Sequence, residues 1–146
     1  MLDIKVLYER LEKSDNDTER MHINFDIATY FLNTNEQRTL EYAEAINVLA
    51  EKLDSNLGRC YYHSTLGRVL YRRSAFDDAA VEFQKALELS LLTNDKLTQA
   101  ICYDSLMVVY GPQTLIKRIK EARVNVDING SVTASYTNAL PVTLID

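Results

Sequence analysis

The chain has 146 residues, 47% of them hydrophobic and 25% charged, with a net charge of −5 at pH 7. This length is enough for one domain with its own core, and the composition argues against global disorder. Because acidic residues outnumber Lys and Arg, which form no block, we expect no nucleic-acid partner. No apolar run of about 18 residues is present, so we also expect no membrane contact.

Helical periodicity dominates most of the sequence. Apolar residues recur every three or four positions between residues 2 and 123, and polar breaks that offer Asp, Asn, Ser or Thr as N-caps interrupt them. The pattern predicts six helices at residues 2–13, 18–33, 37–53, 56–73, 76–92 and 95–110. Their short connections favour antiparallel neighbours.

The last quarter of the chain has a different pattern. After a short basic helix at 114–122, residues 123–136 alternate apolar and polar side chains around Asn129-Gly130, which predicts a β-hairpin. A three-residue loop would give it one apolar face of Val124, Val126, Ile128, Val132, Ala134 and Tyr136. We therefore divide the chain into a helical domain at 1–123 and a hairpin tail or cap at 124–146. We expect the tail to pack on the chain's own helices or, alternatively, to join two chains into a homo-oligomer through residues 124–136.

An internal repeat relates the helices to one another. Residues 60–71 align with 100–111 at a shift of 40, and a backward shift of 39 superposes Leu66 on Ile27 and Gly67 on Ala28. Residues 60–91 resemble the tetratricopeptide repeat, whose signature positions are occupied by His63, Leu66, Gly67, Leu70, Ala79, Phe83 and Ala86. The spacing is kept, although His63 and Leu70 replace an aromatic residue and a tyrosine. Over residues 18–110 the resemblance, to the longer variety of this repeat found in bacterial regulatory proteins, implies a mainly α solenoid of antiparallel helix pairs.

Gly67 lies inside a predicted helix, where glycine costs about 1 kcal/mol relative to alanine. A packing reason is therefore expected. We predict that Ala79 and Ala86 of the following helix cross closely over Gly67, with Phe83 filling the space beside them.

The resemblance also implies a partner-binding groove on one face of the first helix of each pair. On this chain that face carries His22, Phe25, Thr29, Leu32, Tyr61, Ser64, Arg68, Tyr71, Arg72, Ile101, Asp104 and Val108. Arginine forms bidentate bonds to carboxylates and tyrosine gives rigid contact area, so Arg68, Tyr71 and Arg72 favour an acidic peptide or protein segment. The alternative is that residues 68–73 form a solvated helix face whose arginines pair with Glu or Asp. The family's Lys and Asn clamp for C-terminal carboxylates has no counterpart here.

Other candidate chemistry is weak. Cys60 and His63 are three residues apart on a helix and could share a metal with His22 and Cys102, but a packed imidazole is the favoured interpretation of His63. No acidic residue is indicated that would orient His63 for catalysis with Cys60. Asp77 and Asp78 open a helix, where they complement its dipole. We therefore expect no enzyme activity, cofactor or metal.

The two cysteines lie inside apolar helical patterns, which indicates reduced thiols and a cytoplasmic location. The leading interpretation is a non-enzymatic module that binds a peptide or protein segment, in a bacterial regulatory or scaffold protein. The alternatives are a self-associating structural protein that uses its C-terminal tail, and a sensory input fragment of a larger signalling protein.

Overall fold

The computed structural model describes residues 3–111, which are mainly helical. Six helices occupy this part of the chain: α1 (Ile4–Lys13), α2 (Asp17–Phe31), α3 (Glu36–Leu53), α4 (Asn56–Arg72), α5 (Phe76–Leu91) and α6 (Lys96–Tyr110). All six predicted helices are confirmed, and their ends lie within two residues of the predicted positions. The basic helix at 114–122, the hairpin and the domain boundary after residue 123 lie outside the described residues.

Side-chain caps explain where most of these helices begin. Five N-cap side chains each accept a hydrogen bond from a backbone N–H in the first turn, namely Asp3, Asn16, Asn35, Ser55 and Asp95. The prediction of such a cap was wrong for α5, whose N-cap is Ala75. There Ser74 adopts a positive φ of 61°, which turns the chain, and Asp77 and Asp78 supply negative charge in the first turn instead.

Consecutive helices pack against each other, and α2 also contacts α4. The hydroxyl of Thr39, near the start of α3, donates to the carbonyl of Ala28, near the end of α2, at 3.0 Å. In the same way His63 of α4 bonds to Glu82 of α5. The first contact joins the beginning of one helix to the end of another, as antiparallel pairing requires, and the second joins the middles of two helices.

The core is divided between these helix pairs. One cluster joins α1, α2 and α3 around Leu7, Ile23 and Ile27, and a second joins α2, α3 and α4 around Met21 and Ile46. The third connects α4, α5 and α6 through Cys60, Ala79, Phe83, Ala86, Leu87, Cys102 and Leu106. No helix within residues 3–111 combines the length and the hydropathy that crossing a bilayer would need.

Gly67 has the expected packing reason, but the neighbour differs from the prediction. A Cβ atom at Gly67 would lie 2.5 Å from Cε1 and 2.6 Å from Cδ1 of Phe83, and the three atoms nearest to it all belong to that ring. The glycine therefore makes room for the Phe83 side chain rather than for Ala79 or Ala86.

At Gly58, which sequence analysis did not single out, the backbones of α3 and α4 approach each other closely. A Cβ there would lie 2.7 Å from Cβ and 3.2 Å from Cα of Ala50, and it would also overlap the sulfur of Met21. The small pair Gly58 and Ala50 thus sets the distance between α4 and α3.

Candidate functional site

Three hydrogen bonds join α2 and its C-terminal end to α4 at a constant offset. His22 pairs with Tyr61 at 3.0 Å, Thr29 with Arg68 at 3.3 Å and Asn33 with Arg72 at 2.7 Å, each across 39 residues. A constant offset requires the two helices to run parallel, side by side. The offset of 39 residues equals the shift that aligned these two helices in sequence. Residues at matching positions of α2 and α4 are therefore neighbours in space.

A cleft of about 340 Å³ opens where α4 faces α6. It is lined by Leu32 and Asn33 after α2, by Arg68, Tyr71 and Arg72 of α4, by Phe83 of α5, and by Ser105 and Val108 of α6. Five of these residues belong to the predicted groove face. Asn33, Phe83 and Ser105 were missed. The 39-residue shift from Arg72 would have found Asn33, and Ser105 lies one turn before Val108 on α6.

Phe83 reaches the cleft because Gly67 has no side chain. Its ring is 4% exposed and packs over the Gly67 backbone, yet it contributes to the cleft wall. With Leu32, Tyr71 and Val108 it makes much of the lining apolar. The helix-weakening glycine is therefore a condition for the shape of this cleft.

Arg68 is half-buried in the wall of the cleft. Its guanidinium carbon lies 5.5 Å from the centre of the Phe25 ring, and Nη1 donates to the hydroxyl of Thr29. Burial lowers the pKa of Arg68. No carboxylate among residues 3–111 forms an ion pair with Arg68.

Arg72 is exposed, and it donates to the amide oxygen of Asn33. Within the described part of the chain it also lacks an ion pair, although its charge adds to that of Arg73 in lowering the pKa of Glu36. Arg73 itself forms an ion pair with Glu36. Within residues 3–111, the alternative of arginines paired with carboxylates therefore holds for Arg73 and does not hold for Arg68 or Arg72.

Side chains in the N-terminal half of the predicted groove face pack against one another and support Arg68. The rings of Phe25 and Tyr61 stack 4.2 Å apart and are nearly parallel, and the Tyr61 hydroxyl bonds to Nδ1 of His22. Tyr61 and Ser64 are buried, and burial raises the pKa of Tyr61 to about 12. These side chains hold Phe25, and through it Arg68, in place.

The remaining predicted residues lie at the rim. Thr29 is exposed and accepts the hydrogen bond from Arg68. Ile101 and Asp104 are exposed on α6, where Asp104 lines a second depression together with Met107, Val108 and Gly111. Val108 is 60% exposed and belongs to both depressions.

The cysteine and histidine side chains are not brought together as ligands of one metal. Cys60 contacts Cys102 with their sulfurs 3.6 Å apart, whereas Nδ1 of His63 lies 2.6 Å from a carboxylate oxygen of Glu82. Sequence spacing did not indicate this acidic partner of His63. No group of three or more potential metal ligands occurs in the region from residue 3 to residue 111.

Comparisons of the chain with models of protein families, with curated proteins and with solved structures found no match. The chemistry of the cleft is therefore the basis for assigning a function.

Proposed function

We propose that this chain is a non-enzymatic interaction module of the tetratricopeptide type, which binds an acidic segment of a partner protein in the cleft between α4 and α6. The observation that carries the proposal is a pair of cleft-lining arginines, Arg68 and Arg72, neither of which has an ion-pair partner among the described residues. A carboxylate of the partner would supply the missing countercharge.

The geometry of α4 favours a carboxylate over a neutral ligand. Arg68 and Arg72 are four residues apart on one helix, so both guanidinium groups can approach the same acidic group or two adjacent ones. Charge-assisted bonds from arginine to a carboxylate are roughly twice as strong as neutral ones. At Arg68, partial burial removes the water that would otherwise compete.

The apolar walls specify the second part of the ligand. Leu32, Tyr71, Phe83 and Val108 enclose a space at the small end of the roughly 300–1,000 Å³ that ligand pockets occupy. Such a space suits one large apolar side chain. We therefore assign the ligand class as a peptide segment in which a leucine- or phenylalanine-like residue adjoins Asp or Glu.

The proposed setting is a regulatory or scaffold protein of the cytoplasm. Self-association remains the alternative role, because α6 exposes Leu97, which is 71% accessible, beside Ile101 and Val108. In that case the partner would be a second copy of the chain.

Selection from a display library of random peptides tests the proposal, because the library offers every combination of acidic and apolar residues. We expect the full chain to enrich peptides that pair Asp or Glu with a large apolar residue. The double variant Arg68→Gln with Arg72→Gln should bind them at least about tenfold more weakly, or about 1.4 kcal/mol. Raising the salt concentration should weaken binding by the wild type.

The control variant is Arg59→Gln, which changes an arginine of the same helix whose ion-pair partners are Glu51 and Asp54. A second test variant, Val108→Glu, places a carboxylate at the exposed rim and should also reduce binding. Circular dichroism checks that each variant remains helical. Equal enrichment by the wild type and the double variant, or loss of binding in Arg59→Gln alone, would overturn the proposal.

A further inference from the structure

Cys60 of α4 and Cys102 of α6 form a buried pair of thiols between two helices that are distant in sequence. Their sulfurs lie 3.6 Å apart, and the residues are 0% and 2% exposed. They belong to the same apolar cluster as Phe83, Leu87 and Leu106. Nothing in the proposed binding function uses this pair.

We propose that Cys60 and Cys102 are a site of reversible oxidative modification, at which hydrogen peroxide converts the two thiols into an intramolecular disulfide. A disulfide bond is about 2.05 Å long, so the sulfurs must approach by roughly 1.5 Å from their present separation. Rotation of the two side chains and a small adjustment of α6 against α4 can share this movement.

The positive charge of Arg68 acts on the pair. Contact with the Cys60 thiol and this charge lower the pKa of Cys102, against the opposing effect of burial. The thiolate is the nucleophilic form of cysteine. Cys102 can react with the oxidant while Cys60 acts as the resolving thiol, and the reverse order gives the same disulfide.

Oxidation proceeds in two steps. The Cys102 thiolate attacks one peroxide oxygen, the O–O bond breaks, and Cys102 becomes a sulfenic acid while hydroxide leaves and takes up a proton to form water. The Cys60 sulfur then attacks the Cys102 sulfur, the S–O bond breaks, and the departing hydroxide leaves as a second water with the proton of Cys60. Two thiols and one peroxide give one disulfide and two waters, and an external dithiol restores the reduced pair.

Burial makes the size of the oxidant important. Peroxide is small and neutral, so limited local opening of the helix pair admits it. A bulky disulfide reagent needs a larger opening. The pair should therefore react with peroxide while the helices remain folded.

Formation of the disulfide would fix the two helices that carry opposite walls of the cleft. Arg68, Tyr71 and Arg72 lie on α4, whereas Ser105 and Val108 lie on α6. An effect on ligand affinity rests on the proposed function, but formation of the disulfide does not.

The test treats the full chain with hydrogen peroxide under native conditions, then unfolds it and alkylates the remaining thiols. We expect a monomer that has lost two hydrogen atoms by mass, takes up no alkylating reagent and regains both free thiols with dithiothreitol. The oxidised protein should melt at a higher temperature than the reduced one, because the crosslink restricts the unfolded chain. Cys60→Ala should instead leave Cys102 as a sulfenic acid that a dimedone-type reagent labels.

Two results would overturn the inference. One is a folded, peroxide-treated protein in which both thiols remain alkylatable. The other is oxidation that adds oxygen to each cysteine, or links separate chains, without the intramolecular bond. Titration of reduced and oxidised protein with a cleft-binding peptide is a separate readout. Unchanged affinity would contradict an effect of the disulfide on the cleft, but it would not contradict formation of the disulfide.

Discussion

The two glycines inside α4 differ in what surrounds them, and this difference decides how each responds to substitution. At Gly67 the space is occupied by the edge of an aromatic ring, which is the end of a side chain. At Gly58 it is occupied by the sulfur of Met21 and also by Cα and Cβ of Ala50, which move only with the α3 backbone. Both positions give up helix propensity to let neighbouring groups approach.

Gly67→Leu is expected to lower the free energy of unfolding by at least about 1–3 kcal/mol, because the added side chain meets the buried Phe83 ring. Chemical denaturation measures the loss. In a Phe83→Leu background the same substitution should cost less, since the aromatic ring is replaced by a smaller side chain. Equal losses in both backgrounds would show that Phe83 is not the obstacle.

Gly58→Ala should also destabilise the protein, although alanine favours helices by about 1 kcal/mol. The expected overlap with Ala50 is on the scale of about 1–3 kcal/mol for core overpacking. Adding Ala50→Gly should recover part of the loss, which a double-mutant cycle by denaturation would detect. A Gly58→Ala protein that is more stable than the wild type would contradict the close approach of α3 and α4 at this position.

At the scale of helices, sequence predicted the elements better than the contacts between them. Helix bounds were predictable because periodicity and caps such as Asn16, Asn35 and Ser55 act locally. The cleft was predictable in part, since the repeat places Arg68 and Arg72 on one face. Packing between helices places Arg68 against the face of the Phe25 ring and the Phe83 ring against Gly67. Spacing along one helix does not specify these contacts.

Helix α2 also carries an acidic residue in an unfavourable position. Asp26 is half-buried, and burial raises its pKa from the ordinary 3.8, against the opposing charges of Arg10 and His22. A raised pKa in the folded state means that ionised Asp26 destabilises the fold. This penalty is complete above the raised pKa and disappears as the pH falls below 3.8.

Asp26→Asn is therefore expected to raise the melting temperature modestly at pH 7 and to leave it almost unchanged at pH 3. Thermal unfolding followed by circular dichroism at the two pH values measures this difference. Asp15→Asn, which neutralises an exposed carboxylate between α1 and α2, controls for net charge. A stabilisation that is equal at both pH values would contradict the role of burial.

At the scale of the whole molecule, the cleft depends on four helices that are separated in sequence. The end of α2 supplies Asn33, α4 supplies the arginines, α5 supplies Phe83 and α6 supplies Val108. Contacts across 39 residues fix the first of these walls, and the cluster that contains Cys60 and Cys102 fixes the last. A ligand that contacts both walls should therefore perturb residues that are far apart in sequence.

NMR titration of the full chain with a peptide that pairs glutamate with leucine tests the binding site most directly. We predict that the Nε–Hε resonances of Arg68 and Arg72 and the methyl resonances of Val108 shift and saturate together, while the Nε–Hε resonance of Arg59 stays in place. Saturating shifts at Arg59 or along α1, with Arg68, Arg72 and Val108 unmoved, would contradict binding in the cleft.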